Sequence, residues 1–305
     1  MLIINEFLPH ESCHLFNSPE FFRLHASQED NYFQWLIKGK VLITLHLTEI
    51  SEGAYRSPAR GTFGGLSIAA NVPPHELVEF MNSVQAHLRE RGIRTLEILL
   101  APMQHDSVVC SMQYFVLRSL AFRETQVDLN YAMVVDGQAF VQRINYANRK
   151  RLNKCHREGF EAKLVGADRL TEVYAVIAEN RASKGYPMTM SEPQVREMQV
   201  VFPDVLELFT CELNGQLVAS AICLRLRPDV LYVFYWGDLP GYAQSSPVVI
   251  LAEAIYLSCQ SRGIAVLDVG TSTSDMQMNL GLINFKRGLG FQESLKFRLE
   301  KRFEP

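Results

Sequence analysis

VLELFTCELNGQLVASAICLRLRPDVLYVFYWG, residues 205–237, holds three apolar runs separated by two turn signals. Asn214-Gly215 is the strongest short hairpin signal, because both residues tolerate the left-handed backbone that a tight two-residue turn requires. Pro228-Asp229 then turns the chain into VLYVFYWG. Three consecutive antiparallel strands are expected.

Downstream, the polar loop DLPGYAQSS leads to Pro247, which suits the first turn of a helix over VVILAEAIYLSCQSR. That helix is apolar on most faces, so it should be buried, and Gly263 ends it. IAVLDV reads as a short apolar strand. A strand–helix–strand crossover implies parallel pairing by a right-handed connection. A helix over roughly residues 280–289 closes at Gly290, and FQESLKFRLEKRF alternates as a last strand. With helices expected near residues 168–184 and 193–200 in front, the order is βββαβαβ.

The chain says much of this twice. RGIRTLEI (residues 91–98) is echoed by RGIAVLDV (residues 262–269), an offset from Arg91 to Arg262 of 171 residues. RSLAFRET (residues 118–125) is echoed by RGLGFQES (residues 287–294), an offset from Arg118 to Arg287 of 169. Near-equal offsets point to a duplicated unit, and 305 residues are about two domains' worth at roughly 150 each. The N-terminal half supplies the same order: YFQWLIK, VLITLHLTEI, a strand near FGGLSIA, and a helix over residues 74–91. In that helix Leu77, Phe80, Met81, Val84 and Leu88 share one face. TLEILLA, a helix over 108–120 and TQVDLNYAMVV complete it. The expectation is α/β with mixed sheets, in two domains, 1–145 and 146–305.

Composition is 48% hydrophobic and 21% charged with a formal charge of −3, ordinary for a globular chain. It argues against a DNA-binding protein. The six scattered cysteines (Cys13, Cys110, Cys155, Cys211, Cys223 and Cys259) form no C-x-x-C, and the eight histidines show no ligand spacing, so no metal is expected. No apolar run reaches 18 residues and Glu6 interrupts the N-terminus, so the sequence reads as cytoplasmic, without a membrane span.

The βββαβαβ order after leading helices resembles the GNAT acyltransferase fold, and two such units in tandem resemble the FemABX-type peptidyl and aminoacyl transferases. Three stretches carry the likeness: the basic segment NRKRLNKCHREGFEAKL (residues 148–164), LDVGTST (residues 267–273), and NLGLINFKRGLGF (residues 279–291). The last is similar to the family's F-K-x-x-[FL]-G element, with Phe285 and Lys286 matching. The resemblance implies N-acyltransferase activity on an amine, with acyl-CoA or aminoacyl-tRNA as donor. It also implies a small-molecule or peptidoglycan-precursor acceptor and no tightly bound cofactor. The acetyl-CoA pattern [QR]-x-x-G-x-[GA] is missing from PGYAQSSPV. The alternative is a ligand- or RNA-binding protein on the same duplicated scaffold.

Amide-forming transfer needs a deprotonated amine, an adjacent donor carbonyl and hydrogen-bond donors for the oxyanion. Asp238, at a strand end, and Asp268, in an apolar strand, are the candidate base or amine-orienting carboxylates; Asp268 equally suits capping of Thr271, Ser272 or Thr273. Lys286 is a point charge beside Phe285, or a solvated lysine. Ser245 and Ser246 offer hydroxyls at the helix start, or an ordinary cap. Tyr235 and Trp236 suit a crevice wall, or sheet core. Arg149, Lys150 and Lys154, in a run of five cations with Arg151 and Arg157, suit phosphate binding or a solvated helix face. In YRSPARGTFGG (residues 55–65), Arg56 and Arg60 offer anion contacts, or decorate a strand-entry turn.

Overall fold

The computed structural model of the chain describes residues 1–10, 14–27, 30–58, 60–242 and 244–304. Cys13, Ala59 in the loop of residues 55–65 and Ala243 in the loop after Pro240 lie outside the described residues. Two compact units result: unit 1 is Met1–Asn130, Thr273–Gln277 and Ser294–Pro305, and unit 2 is Tyr131–Ser272 and Met278–Glu293.

Unit 2 is organised on a sheet whose neighbouring strands are Phe160–Val165, Leu206–Leu213, Gln216–Arg227, Val230–Asp238 and Val266–Thr271. The first four are antiparallel, and the fifth runs parallel to the fourth. Asn214 (φ 52°) and Gly215 (φ 77°) both adopt the left-handed backbone of the expected hairpin. The crossover helix Val248–Ser261 starts after Pro247 and buries eight residues, from Val248 to Cys259. Helices Leu170–Ser183 and Glu192–Val201 connect the first two strands.

One strand was hidden in the basic segment of residues 148–164. Asn145 caps the helix Tyr146–Glu158, and Gly159, at φ 81°, ends it. Phe160–Val165 then pairs antiparallel with Leu206–Leu213. The run of cations masks this change of period, because a six-residue edge strand with only Phe160 fully buried has little apolar alternation to display.

Unit 1 contains the strands Leu2–Ile4, Asn31–Ile37, Lys40–Ser51, Ala54–Ser57 and Thr95–Leu99. Helix Pro74–Glu90 buries Leu77, Phe80, Met81, Val84 and Leu88, as their spacing requires. The strand that pairs in parallel with Thr95–Leu99 is Ala54–Ser57. The strand expected near FGGLSIA shrinks to Ser67–Ile68, which folds back on Lys40–Ser51. Four residues interrupted by an arginine are too short for a periodicity signal. Residues 298–302 of the strand Gln292–Arg302 pair antiparallel with Thr95–Leu99, and Ser294–Pro305 groups with unit 1. Alternation marks a strand without saying which edge it joins, so the sequence order did not show this.

The repeated octamers occupy equivalent places. Gly92 (φ 69°) and Gly263 (φ 68°) end the crossover helices, and Ile93 and Ile264 donate their amides to the carbonyls of Leu88 and Cys259, both at 3.0 Å. Ala121 (φ 64°) and Gly290 (φ 87°) stand just past the second helices. Phe122 donates to the carbonyl of Leu117 at 3.0 Å and Phe291 to that of Lys286 at 3.2 Å. The left-handed backbone penalises a Cβ, so Ala121→Gly is expected to raise unfolding free energy by about 0.5–1 kcal/mol, readable in urea denaturation. Gly290→Ala should do the reverse and more, since its Cβ would lie 2.8 Å from the Arg143 carbonyl oxygen.

Candidate active site in unit 2

The parallel pairing of Val230–Asp238 with Val266–Thr271 runs through Val230↔Val266, Leu231↔Leu267 and Tyr232↔Asp268 and then stops. Two local causes separate the strands. Phe234 is an extra residue opposite the Ile222/Cys223 step, since Cys223 faces Val233 and Ile222 faces Tyr235, and such a bulge bends the strand. On the other strand Gly270 adopts φ 75°, with Tyr232 packed against it. Between them opens a cleft of about 670 Å³. Its walls are the end of Val230–Asp238, residues 269–271, the starts of the helices Val248–Ser261 and Leu280–Gly288, and the end of the helix Leu170–Ser183 with the turn that follows.

Lys286 reaches this cleft from inside the helix Leu280–Gly288, whose buried positions include Ile283 and, one turn on, Lys286. Asn279 caps the helix by accepting from the Leu282 amide at 3.0 Å. Only 2% of Lys286 is exposed. Its Nζ donates to the carbonyls of Gly270 at 2.9 Å and Thr271 at 2.8 Å, and lies 5.4 Å from the centroid of the Tyr131 ring. Burial pulls the ammonium down to about 7, and the nearby Asp268 carboxylate opposes that fall. Asp268 is fully buried and accepts the Gly270 amide at 2.6 Å, so it braces the turn that presents Lys286 with its carbonyls.

Asp238 lines the cleft at the end of its strand. Asn180 donates to its backbone carbonyl at 2.6 Å and to its Oδ1 at 3.1 Å, and Lys184 Nζ stands 3.9 Å from that oxygen. Gly237 has to be glycine here, since a Cβ would lie 2.5 Å from Asn180 Cγ. Trp236 and Phe285 face each other across the cleft, edge to face at 6.0 Å. Tyr235 also lines it; its hydroxyl is hydrogen-bonded to the Thr189 hydroxyl and accepts the Met190 amide at 3.2 Å.

The structure therefore brings Asp238, Lys286, Tyr235, Trp236, Phe285 and Ser246 to one cleft. Asp268 stands beneath it. Ser245 turns away: its hydroxyl donates to Glu158 at 3.1 Å and its carbonyl accepts from Cys155 Sγ at 3.2 Å. Arg149 and Lys150 are exposed on the helix Tyr146–Glu158, and Lys154 pairs with Glu158 at 3.7 Å, all outside the cleft lining. Arg56 and Arg60 belong to unit 1, where Arg56 pairs with Glu97 at 2.5 Å. The glycines of that loop serve packing, because a Cβ on Gly61 would meet Phe16 Cγ at 2.9 Å and one on Gly64 would meet Asn17 Oδ1 at 2.6 Å.

Sequence reading passed over Asn180, Arg181, Lys184 and Tyr186, all of which line the cleft. A signal was available. Leu170, Val173, Ile177 and Asn180 fall on one helical stripe, and a polar residue on that stripe, just before R-x-x-K-G-Y, marks a wall that faces something other than core.

Unit 1 repeats the topology but differs at the equivalent point. Its parallel pair extends to Ser57↔Ile98, and Gly64 continues beside the strand, donating its amide to the Leu99 carbonyl at 2.9 Å. Leu117, the counterpart of Lys286 in the repeat, is buried in an apolar core.

A sheet that splays after a bulge, with a buried crossover helix beside the gap, defines the GNAT-type acyltransferase fold. Residues 142–287 match the family model of the acetyltransferase (GNAT) domain. The whole chain has the fold of tandem GNAT proteins of the FemABX kind. The crystal structure of FemX superposes with a TM-score of 0.75 at 10% identity, covering 96% of this chain and 93% of that one. L-PGS from Bacillus licheniformis gives 0.61 at 10% identity, covering 97% and 95%. A tandem GNAT protein from the clavulanic acid biosynthesis pathway gives 0.53 at 8%, covering 94% and 87%. No curated protein matches the chain in sequence. No helix among the described residues is long and apolar enough to cross a membrane.

A coenzyme A diphosphate is held in such a cleft by adjoining free amides at the crossover-helix start. Pro247 has no N–H, and the Val249 amide is bonded to the Ser246 carbonyl at 2.9 Å. Neither of these two positions offers a free amide.

Proposed function

We propose that the protein is an N-acyltransferase that forms an amide in the unit 2 cleft, with Lys286 and Asp238 as its catalytic residues. The observation that carries this reading is the buried Lys286 ammonium at the point where the two parallel strands part. Two of its three N–H bonds are committed to the Gly270 and Thr271 carbonyls, which leaves one for an incoming oxygen.

The acceptor nitrogen attacks the donor carbonyl carbon. A C–N bond forms as the carbonyl π electrons move to oxygen, and the Lys286 N–H stabilises that oxyanion in a site of low dielectric. Asp238 takes the proton from the new ammonium. Collapse restores the carbonyl, breaks the bond to the leaving group, and passes a proton from Lys286 to that group. A lysine near 7 is well matched to such a donation at neutral pH. Asp268 holds the Gly270 turn, and Trp236 and Phe285 exclude water.

For the donor we favour an aminoacyl ester such as aminoacyl-tRNA over acyl-CoA, because the loop before the crossover helix lacks the acetyl-CoA pattern and Pro247 and Val249 offer no free amide there. The acceptor is a small amine or a peptidoglycan precursor. Support for these classes comes from the likeness to FemABX proteins and from the cleft lining. The test is mass spectrometry of amide products after incubating the full chain with charged tRNA or acyl-CoA panels and mixed amines. Product with charged tRNA that disappears in Lys286→Met supports the reading. Product formed equally well by that variant overturns it.

A further inference from the structure

The cleft contains three cations and one carboxylate, and two of the cations are already answered. Lys286 is committed to backbone carbonyls, and Lys184 stands 3.9 Å from Asp238 and 3.3 Å from Asn180 Oδ1. Arg181 is different. Among the described residues no carboxylate lies within ion-pair distance of it, yet its orientation is fixed. Its Nε donates to the Pro187 carbonyl at 2.9 Å, and its guanidinium carbon lies 5.4 Å from the Tyr235 ring centroid and 6.0 Å from that of Tyr186. Tyr235 is itself held through its hydroxyl by Thr189 and Met190.

A guanidinium backed by aromatic rings and anchored through Nε keeps its two terminal nitrogens for one planar partner. Two parallel N–H bonds to a carboxylate or phosphate are the arrangement that such a fork matches best. Asp238, held by Asn180 from the same helix, provides the opposite charge along the same wall.

We infer that Arg181 forms an anion subsite of the cleft, and that the acceptor is an amine carrying its own anionic group, a carboxylate or a phosphate. The ammonium end is received at Asp238 and the anionic end at Arg181. This rests on the acyl-transfer reading only for the word acceptor; the subsite is a binding claim that stands or falls without any chemistry.

The test is ligand-observed NMR titration of three primary amines of similar length: n-propylamine, β-alanine and O-phosphoethanolamine. Each is titrated into the wild-type chain, Arg181→Gln and Arg181→Lys. The wild type is expected to bind at least one of the two anionic amines tenfold or more tightly than propylamine, and the preferred one identifies the carboxylate or the phosphate. Arg181→Gln should bring that ligand to the propylamine level. Arg181→Lys, which keeps the charge and loses the fork, should recover only part of the preference. If Arg181→Gln does not fold, the lysine variant decides, because an undiminished preference there removes the fork from the account. Equal binding of all three amines by the wild type, or an unchanged order in Arg181→Gln, overturns the inference. Failure to find an amide product would leave these affinities untouched, so the two proposals fail separately.

Discussion

Lys286→Met is expected to lower kcat for amide formation by ~10²–10³-fold, the usual loss when one preorganised oxyanion donor is removed. Methionine keeps the length of the side chain and withdraws only the charge and the N–H groups. Two effects on stability oppose each other. The Gly270 and Thr271 carbonyls lose their partner, at a cost of about 1–3 kcal/mol each if they stay dry, while the chain no longer has to bury an ammonium. The melting temperature at pH 7 should therefore move little.

The pH dependence separates the wild type from the variant. In the folded chain Lys286 loses its proton near 7; in the unfolded chain it does so near its ordinary value of 10.5. Between these values the unfolded state binds more protons, so this group makes wild-type stability rise with pH from about 7 to 10.5. Lys286→Met lacks that rise, so its deficit in unfolding free energy should widen from pH 7 to pH 9. For activity the sign is opposite, because the protonated lysine is the working form. Wild-type kcat/KM should fall as pH rises through about 7, and Lys286→Arg, which stays charged, should show no fall there, whatever its absolute rate. Steady-state rates between pH 5.5 and 9 check both.

Asp238→Asn is expected to cost ~10²–10⁴-fold in kcat/KM near neutral pH, the range for loss of a general base. The fold should persist, because the asparagine oxygen still accepts from Asn180 and the backbone carbonyl contact at 2.6 Å does not involve the side chain. The pH profile tells a base from a brace. If Asp238 takes the proton from the new ammonium, the variant's deficit relative to the wild type should shrink with rising pH as solvent hydroxide substitutes for the carboxylate, the fall set by Lys286 being common to both. A deficit that stays constant from pH 6 to 9 assigns Asp238 a purely structural role.

Much of this was legible in the amino-acid sequence, for identifiable reasons. Asn214-Gly215 fixes the hairpin by backbone preference alone. Gly263 and Gly290 mark helix ends that the structure finds at left-handed φ. Lys286 stood out through the Phe285-Lys286 match to the F-K-x-x-[FL]-G element, and the repeat sets it opposite a core leucine, Leu117, in the other copy. What the sequence did not expose was tertiary. Nothing local distinguishes Phe234 as the bulged residue, because the bulge is defined by its register against Ile222 and Cys223. The exposure of Arg149 and Lys150 and the Glu97 partner of Arg56 depend on which helix face or strand lies opposite. Arg181 was passed over because its significance lies in two tyrosines, one five residues on and the other on a distant strand.

Acyl transfer in this reading takes place where the parallel strands of unit 2 part. The most direct measurement is a crystal structure of the chain with a stable aminoacyl-nucleoside amide analogue. The analogue's carbonyl oxygen is expected at about 2.6–3.2 Å from Lys286 Nζ, with the site of the acceptor nitrogen on the Asp238 side. An analogue bound with its carbonyl away from Lys286, or bound to unit 1 while the unit 2 cleft is filled by its own side chains, would contradict it.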